Sequence, residues 1–328
     1  MVSRAVSQPP TLIYTHGGGR LGNQIIRLAH WLAWTRAHPG RVNVIDLGFW
    51  RYAKYFSRWA EQPGSAFPQT SVGANLLAEL QGWMPEWALD RAEPRFQRLV
   101  QAAGRSWPGG GAIALDDAKG EGFDLDDPAF LRDITRRRVT TCSGWKIASW
   151  PLVAEQQTEL RECFRPKPQW TNAAAAFIAG LRARHDLVIG VQIRQSDYRT
   201  WNQGRYFFPT SRYAAWLRQL LDLHAGRRVA FVVASEERQD PALFAGLPVY
   251  FATGSVNAGG PWFESWVELS LCDLVVSPPS TFSATAAWLG TGPLWPVWTA
   301  GQQLAPDQIL RDPLLDAARH AGFAECVM

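Results

Sequence analysis

Asp186–Tyr198 reads D-L-V-I-G-V-Q-I-R-Q-S-D-Y. Leu187, Val188, Ile189, Val191 and Ile193 make a nearly continuous apolar, largely β-branched run, which predicts a short strand buried on both faces of a parallel sheet. In open α/β sheets the ligand crevice lies beyond the carboxyl ends of the strands. Here the run stops at Arg194, with Asp197 and Tyr198 just after it. A guanidinium at such a point offers a planar fork of donors suited to phosphate. An ordinary Arg-Asp pair at the end of a core strand accounts for the same residues equally well, so the decision falls to the rest of the chain.

With 328 residues the chain is long for one core and comfortable for two domains of roughly 150 residues each. Hydrophobic residues make up 47% and charged residues 19%, without a low-complexity tract, which excludes a disordered or fibrous protein. The net charge of +4 is mild, and the basic residues are scattered apart from Arg136, Arg137 and Arg138. That favours a small anionic ligand over nucleic acid, which calls for a basic stripe. Cys142, Cys163, Cys272 and Cys326 are far apart with no C-x-x-C pair, so neither a zinc site nor a disulfide framework is expected. The opening M-V-S-R-A-V-S-Q-P-P lacks the apolar core of a signal peptide, and no run approaches the roughly 18 apolar residues of a membrane span. The expectation is a soluble, cytoplasmic protein, with peripheral membrane contact and oligomeric state left open. The 17 tryptophans are more than a core usually takes. An indole face suits a sugar ring, yet for any single one a core position is the commoner use.

Upstream, the apolar strand Thr11–Thr15 runs into H-G-G-G-R-L-G-N-Q, after which Ile25, Leu28 and Leu32 recur at helical spacing. Gly17, Gly19 and Gly22 fit G-x-G-x-x-G, and a second strand, Val42–Ile45, ends in Asp46. Alone, this is the fingerprint of an NAD(P)-dependent oxidoreductase. Its narrower content is a helix N-terminus with bare amides, open to an anion or a substrate. Helices are expected at Leu76–Arg91, Pro94–Gly104, Leu152–Phe164, Asn172–Arg184, Tyr213–His224 and Pro261–Leu271, and strands at Val229–Ala234, Pro248–Ala252 and Leu274–Val276. Strand, polar exit and helix alternate, so the fold class is α/β. Arg165, Pro166, Lys167 and Pro168 mark the break between domains 1–170 and 171–328. Whether the last helix packs back on the first domain stays open.

Taken together, these stretches resemble the fucosyltransferase superfamily, most closely the α-1,2-fucosyltransferase family of bacteria and plants. G-R-L-G-N-Q at Gly19–Gln24 resembles the family's G-x-L-G-N-Q, and C-S-G-W-K-I-A-S-W at Cys142–Trp150 its G-Y-W-Q-S-E-K-Y-F. V-Q-I-R-Q-S-D-Y at Val191–Tyr198 resembles H-x-R-R-G-D-Y, and S-L-C-D-L-V-V-S-P-P-S-T-F-S at Ser270–Ser283 aligns without a gap on S-L-C-K-H-x-I-I-A-N-S-T-F-S. Order and spacing cover roughly residues 11 to 290. Gln192 stands where the family has His, Gln195 where it has a second Arg, Pro279 where Asn is usual, and Ala284 and Thr285 where it has Trp.

The resemblance implies a GT-B architecture, with two Rossmann-like domains facing one another across a cleft. The first would hold the acceptor glycan and the second a GDP-sugar. It implies inverting transfer of fucose from GDP-fucose to a glycan hydroxyl, with no metal and no cofactor beyond the donor. Arg194 would meet the charge on the leaving diphosphate, beside Ser280, Thr281, Phe282 and Ser283 at a helix start. Ser235 and Glu236 would read the ribose or guanine edge. Asn23, with Gly22 and Gln24, would border the reacting face. Asp46, Trp50 and Trp145 would face the acceptor, and Asp46 and Asp197 are both conceivable proton acceptors. Glu264 and Glu268 fit a solvated helix face or a guanine contact equally. The rival readings are the oxidoreductase on Gly17, Gly19, Gly22 and Asp46, and a non-catalytic sugar- or nucleotide-binding relative of the transferases.

Overall fold

A computed structural model of the chain describes residues 9–16, 19–46, 48–57, 95, 98–114, 123–144 and 147–319. The chain divides into two compact units, Met1–Phe164 together with Met328, and Arg165–Val327.

In the first unit β1 (Thr11–His16), β2 (Asn43–Asp46), β3 (Gly110–Ala114) and β5 (Val139–Ser143) form a parallel sheet of order β2-β1-β5-β3, while β4 (Phe123–Asp124) pairs with β6 (Ile147–Ala148). The chain leaves β1 through Gly19, at φ +75°, and enters α1 (Leu21–Ala37). A Cβ at Gly19 would fall 2.0 Å from Asn23 Nδ2, so this turn needs glycine twice over. Helix α1 is buried along almost its whole length and on every side, from Leu21 to Thr35. Such a helix is central rather than a surface cover. Trp31 and Trp34 pack there with Leu12, Tyr14, Val44, Phe130 and Cys142. Among the described residues six tryptophans, Trp31, Trp34, Trp216, Trp266, Trp288 and Trp295, are under 2% exposed, so much of the tryptophan surplus fills cores rather than sugar sites. The expected helix Leu76–Arg91 lies outside the described residues; of Pro94–Gly104, the described residues 95 and 98–104 are helical, and the helix continues to 106.

The second unit carries a five-stranded, wholly parallel sheet: β7 (Leu187–Ile193), β8 (Val229–Ser235), β9 (Val249–Phe251), β10 (Leu274–Ser277) and β11 (Leu294–Pro296), in the order β11-β10-β7-β8-β9. All seven residues of β7 and all seven of β8 are buried, as an apolar run covered on both faces requires. The helices are α2 (Pro168–Arg182), α3 (Thr210–Leu223), α4 (Trp262–Ser270) and α5 (Thr281–Gly290). Helix α2 begins four residues before the expected start. Pro168, read as a breaker, occupies its first turn, where a missing N–H costs nothing and the fixed φ is already helical. Gly190, in the middle of β7, lets α4 close on the sheet, since a Cβ there would lie 2.7 Å from Leu269 Cδ2.

From β7 the chain steps outward to β8 and β9, then crosses back to β10 on the other side of β7. The order therefore reverses between β7 and β10, and beyond the carboxyl ends of strands at such a reversal lies the usual ligand crevice of these sheets.

Candidate functional site

Arg194 is the first residue past β7 and stands at that crevice. Its side chain is 13% exposed. One terminal nitrogen donates to Asp197 Oδ2 at 2.7 Å, and Nε lies 3.7 Å from Glu236 Oε1. The guanidinium sits 5.3 Å above the Tyr198 ring. Burial alone would pull its pKa down, but Glu236 and then Asp197 outweigh that and hold it above the ordinary arginine range. A charged guanidinium thus sits at the strand end with its Nε buried and without a hydrogen-bond acceptor among the described residues.

Tyr198 joins the two sides of the crevice. Its hydroxyl donates to the carbonyl of Pro279, in the segment between β10 and α5. Arg194 and Ser280–Ser283 therefore share one end of one sheet. Ser280 is the residue before α5, and its hydroxyl does not cap the amides of the first turn. That end of a ten-residue helix keeps the partial positive charge suited to an anion. Thr281 and Phe282 are half-buried. Ser283 departs from the expected role for its side chain: the hydroxyl is fully buried, bonded to Ser277 Oγ at 2.6 Å and donating to Ser280 O at 3.0 Å. It braces the turn, and only its amide belongs to the helix start.

At the exit of β8, Glu236 also differs from expectation. Its Oε1 accepts from the amides of Gln195 at 2.9 Å and Ser196 at 3.1 Å, and from Ser196 Oγ at 3.0 Å. Through this one oxygen it fixes the loop that aims Arg194. Ser235 Oγ is likewise engaged, accepting from Gln239 Nε2 at 3.0 Å and from the Glu237 amide at 3.2 Å. Sequence reading missed Gln239. It also donates to Gln195 Oε1 at 3.0 Å, while Gln195 Nε2 donates to Phe208 O at 2.9 Å. Gln195 is thus a buried brace of the loop, a use no motif spacing reveals.

Glu268 is not on a solvated face. It is fully buried, and it accepts the Thr253 amide at 3.0 Å. Thr253 Oγ1 lies 2.6 Å from Glu268 Oε1 and 2.6 Å from Glu264 Oε2. A hydroxyl has one proton, so it satisfies both oxygens only if one carboxyl is itself protonated. Burial pushes Glu268 from its ordinary 4.5 up to about 7, against the opposing pull of the Thr253 hydrogen bonds, and the nearby Glu264 carboxylate adds to the rise. Because the folded state holds this proton more tightly than the unfolded chain, its contribution to stability is complete below about pH 4.5 and is lost as pH rises towards 7. Glu268→Gln keeps an acceptor for the amide and a donor for the hydroxyl. The expected result is that the melting temperature of this variant, relative to wild type, rises between pH 5 and pH 8; a constant difference across that range would place the proton elsewhere.

The remaining predicted residues belong to the first unit. Gly22, Asn23 and Gln24 are in the first turn of α1, Gly22 and Gln24 buried. Gln24 Oε1 accepts from Arg27 Nε at 3.1 Å. Asp46 is 2% exposed and is taken up by Arg27, which donates to both its oxygens, one bond measuring 3.0 Å. Its Oδ1 also receives the amides of Gly48 at 2.8 Å and Phe49 at 2.9 Å. The Arg27 guanidinium lies 4.2 Å over the Tyr14 ring. Asp46 therefore anchors the turn after β2 and offers nothing to an acceptor or a ribose. Arg27 went unnoticed in the sequence, where it looks like any polar interruption of an apolar helix. Trp145 and the Trp50 side chain lie outside the described residues.

No protein-family model matches the chain, and no curated protein matches it. Solved structures do. A point mutant of Arabidopsis thaliana FUT1 in complex with GDP superposes with a TM-score of 0.53 at 14% identity, over 93% of this chain and 74% of that one. The fold is that of the GT-B glycosyltransferases. The Bradyrhizobium fucosyltransferase NodZ is similar at a TM-score of 0.49 and 13% identity, over 89% of this chain and 97% of NodZ. Among the described residues of this GT-B chain, no helix is long and apolar enough to cross a membrane.

Proposed function

We propose that this chain is a glycosyltransferase that takes fucose from GDP-fucose and transfers it with inversion to a glycan hydroxyl, the α-1,2 linkage being the finer reading. The observation that carries it is the half-buried, charged Arg194 at the same sheet end as the start of α5, at the point where the sheet order reverses. Departure of GDP concentrates negative charge on its β-phosphate. A fixed guanidinium and oriented amides in a place shielded from water stabilise that charge by several kcal/mol in the transition state. In this account Arg194 binds the β-phosphate through its terminal nitrogens, Glu236 keeps the loop rigid, and Tyr198 holds the α5 turn against it. Asp197 orients Arg194 and shares the guanidinium with the phosphate. Asn23 and the start of α1 would border the acceptor in the amino-terminal half, 1–170, with the donor in 171–328.

The dinucleotide reading loses its acid, because the Asp46 oxygens are filled by Arg27 and two backbone amides. Turnover separates a working transferase from a binding relative. Incubation with GDP-fucose and a panel of β-galactoside and other glycan acceptors is expected to release GDP only when acceptor is present, and at the same rate with excess chelator, since Arg194 and the helix start meet the leaving-group charge. Strict dependence on added manganese, or GDP-fucose bound but never consumed, would overturn this reading in its metal-free and catalytic parts respectively.

A further inference from the structure

Basic residues that are scattered along the chain gather in the folded first unit. Its four main strands are parallel, so the segments leading into them meet at one rim of the sheet, opposite the carboxyl ends where ligands usually sit. Arg41 precedes β2, Arg136, Arg137 and Arg138 precede β5, and Arg105 with Trp107 precedes β3. Backbone bonds tie the last two groups together: the Arg138 amide donates to Gly109 O at 3.0 Å, and the Gly110 amide to Trp107 O at 2.8 Å. With strands about 4.8 Å apart, the four entries span roughly 14 Å.

Segments 9–10, 36–42, 104–109 and 134–138, which form this rim, hold no Asp or Glu. Arg41, Arg105, Arg136 and Arg138 are exposed. Asp133, one turn back from the rim, lies 3.7 Å from Arg136, but both side chains are more than half exposed and the pair neutralises little. Trp107 is 58% exposed, and among the described residues it is the one tryptophan left mostly in water. An arginine at the end of a helix offsets the helix dipole, which accounts for Arg105 and Arg136. It does not account for Arg41, Arg137 and Arg138, which lie past the helix ends, or for an exposed indole beside them. An indole flanked by guanidinia on long apolar stems suits a lipid headgroup layer, where the ring takes the boundary and the cations reach the phosphates. A single-stranded nucleic acid calls instead for a groove with an aromatic ring for each of several bases. Among the described residues this rim has one exposed aromatic ring, at its β3 edge.

We propose that this rim of the first unit docks on an anionic lipid surface, with Trp107 at headgroup depth and the five arginines against the phosphates. The proposal does not depend on the donor site. It gives the peripheral membrane contact that the sequence leaves open a place on the molecule.

The test is co-sedimentation of the full chain with sucrose-loaded vesicles, either of phosphatidylcholine alone or of equal parts phosphatidylcholine and phosphatidylglycerol. Binding is expected with the anionic vesicles only, and it is expected to weaken steeply with added salt. Arg136→Gln combined with Arg138→Gln is expected to lower the partition coefficient roughly 20- to 30-fold, each charge counting for about fivefold. Arg136→Lys combined with Arg138→Lys is expected to bind as wild type does, because the surface reads the charge. Trp107→Ala is expected to lose about tenfold. These positions are exposed, so the fold should not respond. Equal binding to both vesicle types, binding to neither, or wild-type binding by the glutamine or the alanine variant would overturn the proposal. A lysine variant as weak as the glutamine one would also overturn it. So would tighter binding, at the same ionic strength, to single-stranded DNA or to polyglutamate, which would give the rim to a nucleic acid or to an acidic protein.

Discussion

Arg194→Ala is expected to lower kcat/KM for transfer from GDP-fucose by about 10²–10⁴-fold while the second unit stays folded. The two halves of this expectation have separate causes. Catalysis suffers because the guanidinium is the positive side chain described at the crevice end of β7, and the charge it would meet develops only as GDP leaves. Folding survives because the loop does not hang on Arg194: Glu236 still accepts the Gln195 and Ser196 amides, Gln239 still binds Gln195, and Tyr198 still reaches Pro279. Asp197, 47% exposed on its side chain, is left facing water, where an unpaired carboxylate costs little. Arg194→Lys is expected to fall between the two, because an ammonium restores charge without the planar fork. Steady-state kinetics beside a thermal melt reads both halves, and near-normal transfer by the alanine variant would remove Arg194 from the mechanism.

Asp46→Ala is expected to destabilise the first unit by about 3–5 kcal/mol, enough to unfold it or to leave it barely folded at 37 °C. Arg27 is 1% exposed and held charged, burial pulling its pKa down and Asp46, then Tyr14, pushing it up further. Without Asp46 the guanidinium keeps, among the described residues, Gln24 Oε1 and the Tyr14 ring, and the Gly48 and Phe49 amides lose this acceptor. The control is the double change Arg27→Met with Asp46→Leu. Exchanging a buried pair for apolar volume is often neutral or stabilising, so the double variant should recover most of the loss. Denaturant melts of the three proteins decide it; a single variant as stable as wild type would contradict the reading of Asp46 as an anchor.

The second unit's central strand was legible because seven consecutive buried positions leave little room for polar residues, and the run at Leu187–Ile193 has just one, Gln192. The crevice followed from the same run, since Arg194 is where it stops. What could not be read was partnership across the sheet. Asp46 fits a nucleotide fingerprint by distance along the chain, and only the path of α1 shows that Arg27 reaches it first. Ser283 and Glu236 sit where ligand-facing residues belong, yet one turns back on Ser277 and the other on the loop of the neighbouring strand. Glu268 has the spacing of an exposed stripe with Glu264, and becomes a buried acid only because Thr253 returns from β9 to cover it. In each case local pattern fixed the backbone and a distant residue chose the side chain's work.

The most direct test of a diphosphate held at this crevice is calorimetric titration of GDP into wild type and Arg194→Ala in the presence of chelator. The account predicts a single site in wild type and at least about a tenfold loss in the variant, the size expected when a charged hydrogen-bond donor is removed from a phosphate. Equal affinity in the two proteins would contradict it.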